Sequence, residues 1–473
     1  MRTTLARLAL IALPALLPTL AGAAGDAGLI DAVRAKDRDA VRALLKQNVD
    51  VNVQEGDGGA ALHWAAHVGD AHMVDLLLGA GARVNVQNDY GVTPLSLACV
   101  NADTPIIERL LKSGADPNIA QANGETVLMT CARTGDVEAV TLLLSHGAKV
   151  DARESSQEQT ALMWAVANQH PDVVRVLLRN GANVNARTRP VEVRISRGRD
   201  VNGRSLQIGF DRPKGGFTPL LFAARSGDVD TAKLLVEAGA TVNDAAADGT
   251  SVLVVAVHSG HRALAQYLMG LGANVNTAGS GYTALHAAVL RGDRVLAEEL
   301  LARGADPNAR LLNGTEQRRF SPRYSFDEAW TGATPFLLAA KFADVDMMRL
   351  LASKGADPKA VARDRATATM WAAGVDWEAG VKGTAEPNDR RGRTLALEEM
   401  AKEIDETATL AAVKLTLELG GDASQANAFG DTALHAAAKL HFKKVLDLLV
   451  AHGGSMELKD KRGRTPADIL ASE

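Results

Sequence analysis

The sequence predicts an all-α fold, a solenoid of about twelve helix-turn-helix units joined by finger loops and carrying one inserted β-hairpin. Three observations predict it. A Thr-centred signature recurs about every 33 residues along most of the chain. Each recurrence holds two apolar-periodic stretches of about eight to ten residues, parted by Gly-Asp and closed by Gly-Ala-Asp/Asn. The composition is 47% apolar but only 4% aromatic, so the core must be built from many small aliphatic contacts.

The first residues form a separate element. In MRTTLARLALIALPALLPTLAGAAG, Arg2 and Arg7 precede an apolar run, which ends at the small residues Ala21, Gly22 and Ala23. Basic, then apolar, then small is the order of a secretory signal peptide, expected over 1–23. The run is too short to span a bilayer and is interrupted by Pro14 and Pro18. With no cysteine near the cleavage point, a lipid anchor is not expected. The expected mature chain starts near Ala24 in an exported compartment, periplasmic or extracellular, with no membrane span. The formal charge is −4, with no overall basic balance to suit nucleic acid.

The repeat follows, in 24–473. ALHWAAHVGDAHMVDLLLGAGARVN at 61–85 aligns with TPLSLACVNADTPIIERLLKSGADPN at 93–118, and with ALHAAVLRGDRVLAEELLARGADPN at 284–308. The Thr slot falls at Ala60, Thr93, Thr126, Thr160, Thr218, Ser251, Thr283, Thr334, Thr367, Thr432 and Thr465, so that most successive slots stand one period apart. The three wider gaps, after Thr160, Thr283 and Thr367, are a whole period plus an insertion. This order resembles the ankyrin repeat family, whose period and T-P-L-H-x-A signature it repeats over nearly all of 24–473, and more loosely exported bacterial members of that family. Physical chemistry supports the same unit. Helices this short do not persist alone in water. The Thr283 hydroxyl is placed to cap a first helix, Gly292 to end it in the left-handed region, and Asp293 to cap the second. Small pairs such as Ala65-Ala66 and Ala223-Ala224 let neighbouring helices approach, and a stack buries what one unit exposes.

His63 and His67 in HWAAHVGD lie four apart, the spacing of a zinc pair, with His72 near. The frame gives a plainer reading: His63 is the fourth letter of the signature and His67 sits on the groove edge. The resemblance implies a bond from that His to the Thr hydroxyl, but Ala60 stands there and another partner is needed. Trp64, Trp164, Phe222, Leu338 and Trp371 share the next slot and are expected to pack between helices. Cys99 and Cys131 fall in small-pair slots of adjacent repeats. Repeats stacked roughly 10 Å apart exceed the Cα separation of a disulfide, so two free buried thiols are expected.

The predicted layout after 1–23 is a capping unit at 24–54, repeats at 55–188, an insertion at 189–215, and repeats at 216–309. An insertion at 310–331, repeats at 332–374, an insertion within a repeat at 375–405, repeats at 406–460 and a cap at 461–473 complete it. The first insertion alternates as VEVRIS and SLQIGF about Asn202-Gly203, which predicts a hairpin. It carries seven basic residues against three acidic ones, among them Arg194, Arg197, Arg199 and Arg204. The second mixes Arg318, Arg319 and Arg323 with Phe320, Tyr324, Phe326 and Trp330, a composition typical of contact sites.

No glycine-rich phosphate loop, Gly-x-Ser-x-Gly elbow, HExxH or Cys-x-x-Cys occurs in the sequence. No catalytic residue, cofactor or metal is therefore expected, and the expected function is non-enzymatic binding of a protein or peptide, not nucleic acid. The expected surface is a concave groove with His67, Val68, Tyr90, Val92, Arg133, Thr134, Asn168, Arg225, Ser226, Tyr282, Arg291 and Phe342, plus the four hairpin arginines. Two alternatives stay open: a dedicated accessory or inhibitor of one exported enzyme, and a metal-dependent hydrolase built on the insertions.

Overall fold

In a computed structural model, residues 27–199, 205–313, 326, 330–374 and 405–471 are described. The chain divides into two compact units, one ending at Ser155 and the other beginning at Ser156. Positions 1–26 lie outside the described residues, and so do the expected leader and its cleavage point.

The first unit holds four helix pairs: α1 (Ala27–Arg34) and α2 (Arg38–Lys46), α3 (Ala61–His67) and α4 (Ala71–Gly79), α5 (Pro94–Val100) and α6 (Thr104–Lys112), α7 (Val127–Thr134) and α8 (Val137–Ser145). The second unit begins with α9 (Ala161–Ala167) and α10 (Pro171–Arg179), then a hairpin of β1 (Val191–Arg199) and β2 (Ser205–Lys214). Next come α11 (Pro219–Ser226) and α12 (Val229–Glu237), α13 (Val252–Ser259) and α14 (Arg262–Gly270), α15 (Ala284–Leu290) and α16 (Arg294–Ala302), α17 (Pro335–Lys341) and α18 (Val345–Ser353). It closes with α19 (Ala368–Ala372) and α20 (Glu406–Glu418), α21 (Ala433–Lys439) and α22 (Lys443–Ala451), and a last helix α23 (Pro466–Ala471). The fold is the expected all-α repeat array, with a single two-stranded antiparallel sheet among the described residues.

Local chemistry sets these boundaries. Thr93 Oγ1 accepts from the Ser96 N–H to start α5, and Asp103 Oδ1 accepts from Ile106 to start α6. Asp136, Asp228, Asp293 and Asp344 repeat the second cap. Between the helices the chain must pass through positive φ, which Gly135, Gly227 and Gly260 supply as the left-handed residue that ends the first helix. First helices are buried on nearly every side: every residue of α15 is core. Second helices bury one stripe, as Val173, Val174 and Leu177 do in α10. The inner layer is therefore small and the outer one branched, as the composition requires.

Cys99 and Cys131 correct an expectation. They form a disulfide, with Cα atoms 5.0 Å apart, and both are fully buried. The spacing of roughly 10 Å describes helix axes in a stack. Residues on the facing flanks of α5 and α7 are far closer, as the Cys99 and Cys131 Cα atoms show.

A second tie runs along the turns. In the first unit the Asn52 Nδ2 donates to the Gly81 carbonyl at 3.2 Å, while its Oδ1 accepts from the Arg83 N–H at 2.7 Å. Asn85 and Asn118 repeat the pair one and two units on. Asn185, Asn243, Asn276 and Asn308 do the same in the second unit. Asn185 and Asn308 reach across the first and second insertions, so both insertions leave the stack in register.

Candidate functional site

The histidines that looked like a metal pair are spent on architecture. His63 Nδ1 accepts from the Ala60 N–H at 3.1 Å, so its Nε2 carries the proton and donates to the Val92 carbonyl at 2.9 Å. The backbone of Ala60 thus replaces the missing hydroxyl. Burial holds this imidazole below the ordinary histidine range and keeps it neutral. His67 stands edge-on to Trp64 at 5.7 Å, and His72 Nε2 lies 3.2 Å from Arg42 Nη2. Among the described residues, no group of three His, Cys, Asp or Glu side chains is arranged to hold a metal ion.

In the first unit the surface-facing ends of the first helices and the finger loops form a graded surface. At one end Arg34 pairs with Glu55 at 2.6 Å and lies 4.1 Å over the Trp64 ring. The Trp64 indole N–H completes the cluster by donating to the same Glu55 carboxylate. Next comes an apolar stretch, with Tyr90 65% exposed at a finger tip, Val100 44% exposed, and Val68 and Val92 half-buried. Beyond it Glu125, buried, accepts from Thr130 Oγ1 at 2.8 Å and pairs with Arg133 at 3.7 Å, beside half-buried Thr134. Finger backbones are tied in series, since the Asp89 N–H donates to the Asp57 carbonyl and the Ala122 N–H to that of Tyr90. Tyr90 is thus presented on a braced loop. Sequence reading named His67, Val68, Tyr90, Val92, Arg133 and Thr134 here, and missed Arg34, Glu55, Val100 and Glu125. Counting seven positions on from each Thr slot gives His67, Val100 and Arg133, and this was the signal available.

In the second unit Asn168 is exposed and donates to the Trp164 carbonyl at 2.8 Å. The exposed Arg225 guanidinium lies 5.1 Å from the Phe222 ring and 5.8 Å from that of Phe217. Ser226 is half-buried, its hydroxyl donating to the Ala223 carbonyl, and Arg291 donates to the His258 carbonyl at 2.9 Å. Phe342, 45% exposed, meets Trp330 edge-on at 6.0 Å. Lys341 beside it lies 5.3 Å over Trp330 and 5.5 Å over Trp371.

Tyr282 departs from expectation. It is only 7% exposed, with its ring 4.8 Å from that of Phe326. Phe326, fully buried, also meets His258 and His286. The second insertion therefore sends Phe326 back into the stack and covers Tyr282, and Trp330 is likewise core. Arg318, Arg319, Phe320, Arg323 and Tyr324 lie outside the described residues, as do most of 375–405 and Arg204. Arg194, Arg197 and Arg199 belong to β1, where backbone pairing gives their register.

Both insertions leave the stack through one device. Arg187 Nη1 donates to the carbonyls of Gly216 at 3.1 Å and Ala245 at 2.9 Å. Arg310 Nη1 makes the equivalent bonds to Gly332 at 3.0 Å and Val361 at 2.8 Å. In each case an arginine at the leading edge of the insertion, Arg187 shortly before the first and Arg310 opening the second, grips the residue just after it and the next finger. Neither arginine was singled out from the sequence, although both follow Asn-Ala at the end of a turn.

Comparison with known proteins agrees with this architecture. A model described as ankyrin repeats (3 copies) matches residues 29–121, 101–188 and 220–311, and a single ankyrin repeat model matches 331–363 and 429–461. A stretch of 234 residues is 30% identical to the "Ankyrin repeat and KH domain-containing protein mask-1" of Caenorhabditis elegans, covering 43% of this chain and 9% of that protein. Another of 134 residues is 34% identical to a "Putative ankyrin repeat-containing protein" of Treponema pallidum (strain Nichols), covering 28% of this chain and 39% of that one. The chain thus spans well under half the length of either relative.

Proposed function

The chain belongs to the ankyrin repeat family, and from that premise we propose that it is a non-enzymatic scaffold of the cell envelope, binding a protein or peptide through its groove. The observation that carries this reading is the surface of the first unit. Tyr90 on its finger loop and Val100 at the end of α5 stay exposed between two ion-paired ends, Arg34–Glu55 and Glu125–Arg133. An exposed aromatic on a braced loop is a low-entropy anchor, and flanking charges set register.

Two features support export. Positions 1–23 have the leader pattern, and the cystine Cys99–Cys131 belongs to oxidising compartments and is rare where thiols are kept reduced. Sequencing the amino terminus of protein from the native cell tests export: the reading expects a start near Ala24, and retained Met1 contradicts it. A photo-crosslinking residue at Tyr90 tests binding. One discrete adduct, lost on Arg133→Glu in the same background, is expected; an adduct pattern indifferent to Arg133 overturns the groove assignment.

A further inference from the structure

We propose that the groove of the first unit takes a protein segment presenting an arginine or lysine beside aliphatic residues, with that cation held over the Tyr90 ring. This deepens the groove reading and rests on it.

Three consecutive fingers end in one row. Asp57, Tyr90 and Asn123 stand at the same place, each just before the positive-φ glycine that turns the chain, Gly58, Gly91 and Gly124. All three are exposed. Asp89 Oδ1 lies over Gly58, 3.3 Å from where a Cβ on that glycine would stand. Asp57 Oδ1 accepts from the Gly59 N–H at 2.9 Å. Two carboxylates thus border a single finger turn, and one of them is the residue before Tyr90.

This arrangement lacks one part that the chain supplies elsewhere. At the end of the same surface, Arg34 lies 4.1 Å over the Trp64 ring and 2.6 Å from Glu55, a cation held by an aromatic face and a carboxylate. Tyr90 offers the aromatic face, 65% exposed, and Asp57 and Asp89 offer the carboxylates. No cation of the described residues lies over Tyr90 or pairs with either acid. A cation placed there gains from the ring quadrupole and from both negative charges.

The apolar part of the surface is held still. Asn88 Oδ1 accepts from the Tyr90 N–H at 3.1 Å and the Val92 N–H at 2.9 Å, which fixes the finger. Val100, 44% exposed, sits between Cys99, bonded to Cys131, and Asn101, whose Nδ2 donates to the His67 carbonyl at 2.8 Å. Positions fixed before binding cost little entropy to use, and an exposed valine suits an aliphatic side chain.

Charge selects the occupant. Glu55 is answered by Arg34 and Glu125 by Arg133, whereas Asp57 and Asp89 are answered by none of the described cations. These two acids repel a nucleic acid or an anionic membrane, and a second copy docking face to face sets acid against acid. What remains is a basic protein segment.

The full chain tests this by fluorescence anisotropy with three blocked, labelled peptides of one valine-rich sequence, carrying arginine, neutral citrulline or glutamate at the charged positions. Co-sedimentation with phosphatidylglycerol vesicles is the fourth probe. Saturable binding of the arginine peptide alone is expected, weakened about tenfold by Tyr90→Ala and by Asp57→Asn with Asp89→Asn. Asparagine at 57 keeps the acceptor for the Gly59 N–H, and unchanged far-UV circular dichroism verifies that the variants keep the stack. Equal binding of the citrulline peptide, indifference to Tyr90→Ala, or binding to vesicles with none to the arginine peptide overturns the proposal. Arg133→Glu separates the two readings, since it is expected to leave affinity for this short peptide undiminished while abolishing the Tyr90 adduct. An adduct lost with Arg133→Glu yet kept with Asp57→Asn and Asp89→Asn contradicts the cation and leaves the groove standing.

Discussion

Asn308 and Gly355 are far apart in sequence, yet the Asn308 Nδ2 donates to the Gly355 carbonyl at 2.9 Å while its Oδ1 accepts from the Asp357 N–H at 2.7 Å. The whole second insertion lies between them. The same pair of bonds recurs from Asn52 onward, missing only the turn where Asp151 holds the slot, and stops here, since Lys359, Ser424 and Glu457 occupy the slot in the last turns. Each exposed bond contributes about 1 kcal/mol net. Asn308→Ala is therefore expected to destabilise the second unit by about 1–2 kcal/mol. Lys359→Asn supplies the missing side chain and is expected to raise stability by about 1 kcal/mol, both read as shifts in the urea midpoint.

The Cys99–Cys131 cystine closes a loop across two repeats, and its atoms are fully buried. Cys99→Ala with Cys131→Ala is expected to cost the first unit about 3 kcal/mol, mainly by freeing the unfolded chain. Thiol titration with Ellman's reagent checks the state: no reactive thiol in native protein, and two after denaturation with reductant.

His286 titrates inside the stack. Its Nδ1 accepts from Thr283, whose hydroxyl lies at 2.8 Å, and its Nε2–H donates to the Ala333 carbonyl at 3.3 Å across the second insertion. Desolvation pushes its pKa down to about 4. The unfolded chain, with an ordinary value near 6.5, binds the proton more readily, so stability is full above about pH 6.5 and falls as pH drops toward about 4. The loss over that window is about 3 kcal/mol. His286→Gln is expected to reduce the pH dependence of the urea midpoint between about pH 6.5 and 5, above the range where carboxylates dominate, and buried His63 leaves a residual slope of the same sign. An unchanged slope contradicts the burial argument.

The repeat was legible because its punctuation is chemical. Thr and Asp caps and left-handed glycines recur at fixed offsets, and each is legible from one residue in its local context. What stayed hidden depends on neighbours in space. Cys99 and Cys131 were placed in the right slots but judged by axis spacing, when the facing flanks of α5 and α7 meet at 5.0 Å. The asparagine ties, and the Arg187 and Arg310 grips, join residues far apart along the chain, and nothing local distinguishes them from solvated polar residues. Phe326 resembled a contact residue because an inserted aromatic has the same composition whether it faces outward or folds back over Tyr282. On the groove the frame position found Arg133 and Tyr90, yet not the acids Glu55 and Glu125 that hold the neighbouring cations.

The central physical claim is that no repeat is stable by itself and each is held by the faces of its neighbours. Native-state hydrogen exchange on Leu285→Ala tests this most directly, because Leu285 is fully buried in α15 and its truncation costs about 3 kcal/mol. The account predicts that α13–α14 and α17–α18 lose protection together with α15–α16. Loss of protection confined to α15 and α16, with both neighbouring pairs exchanging as in the wild-type protein, would contradict it.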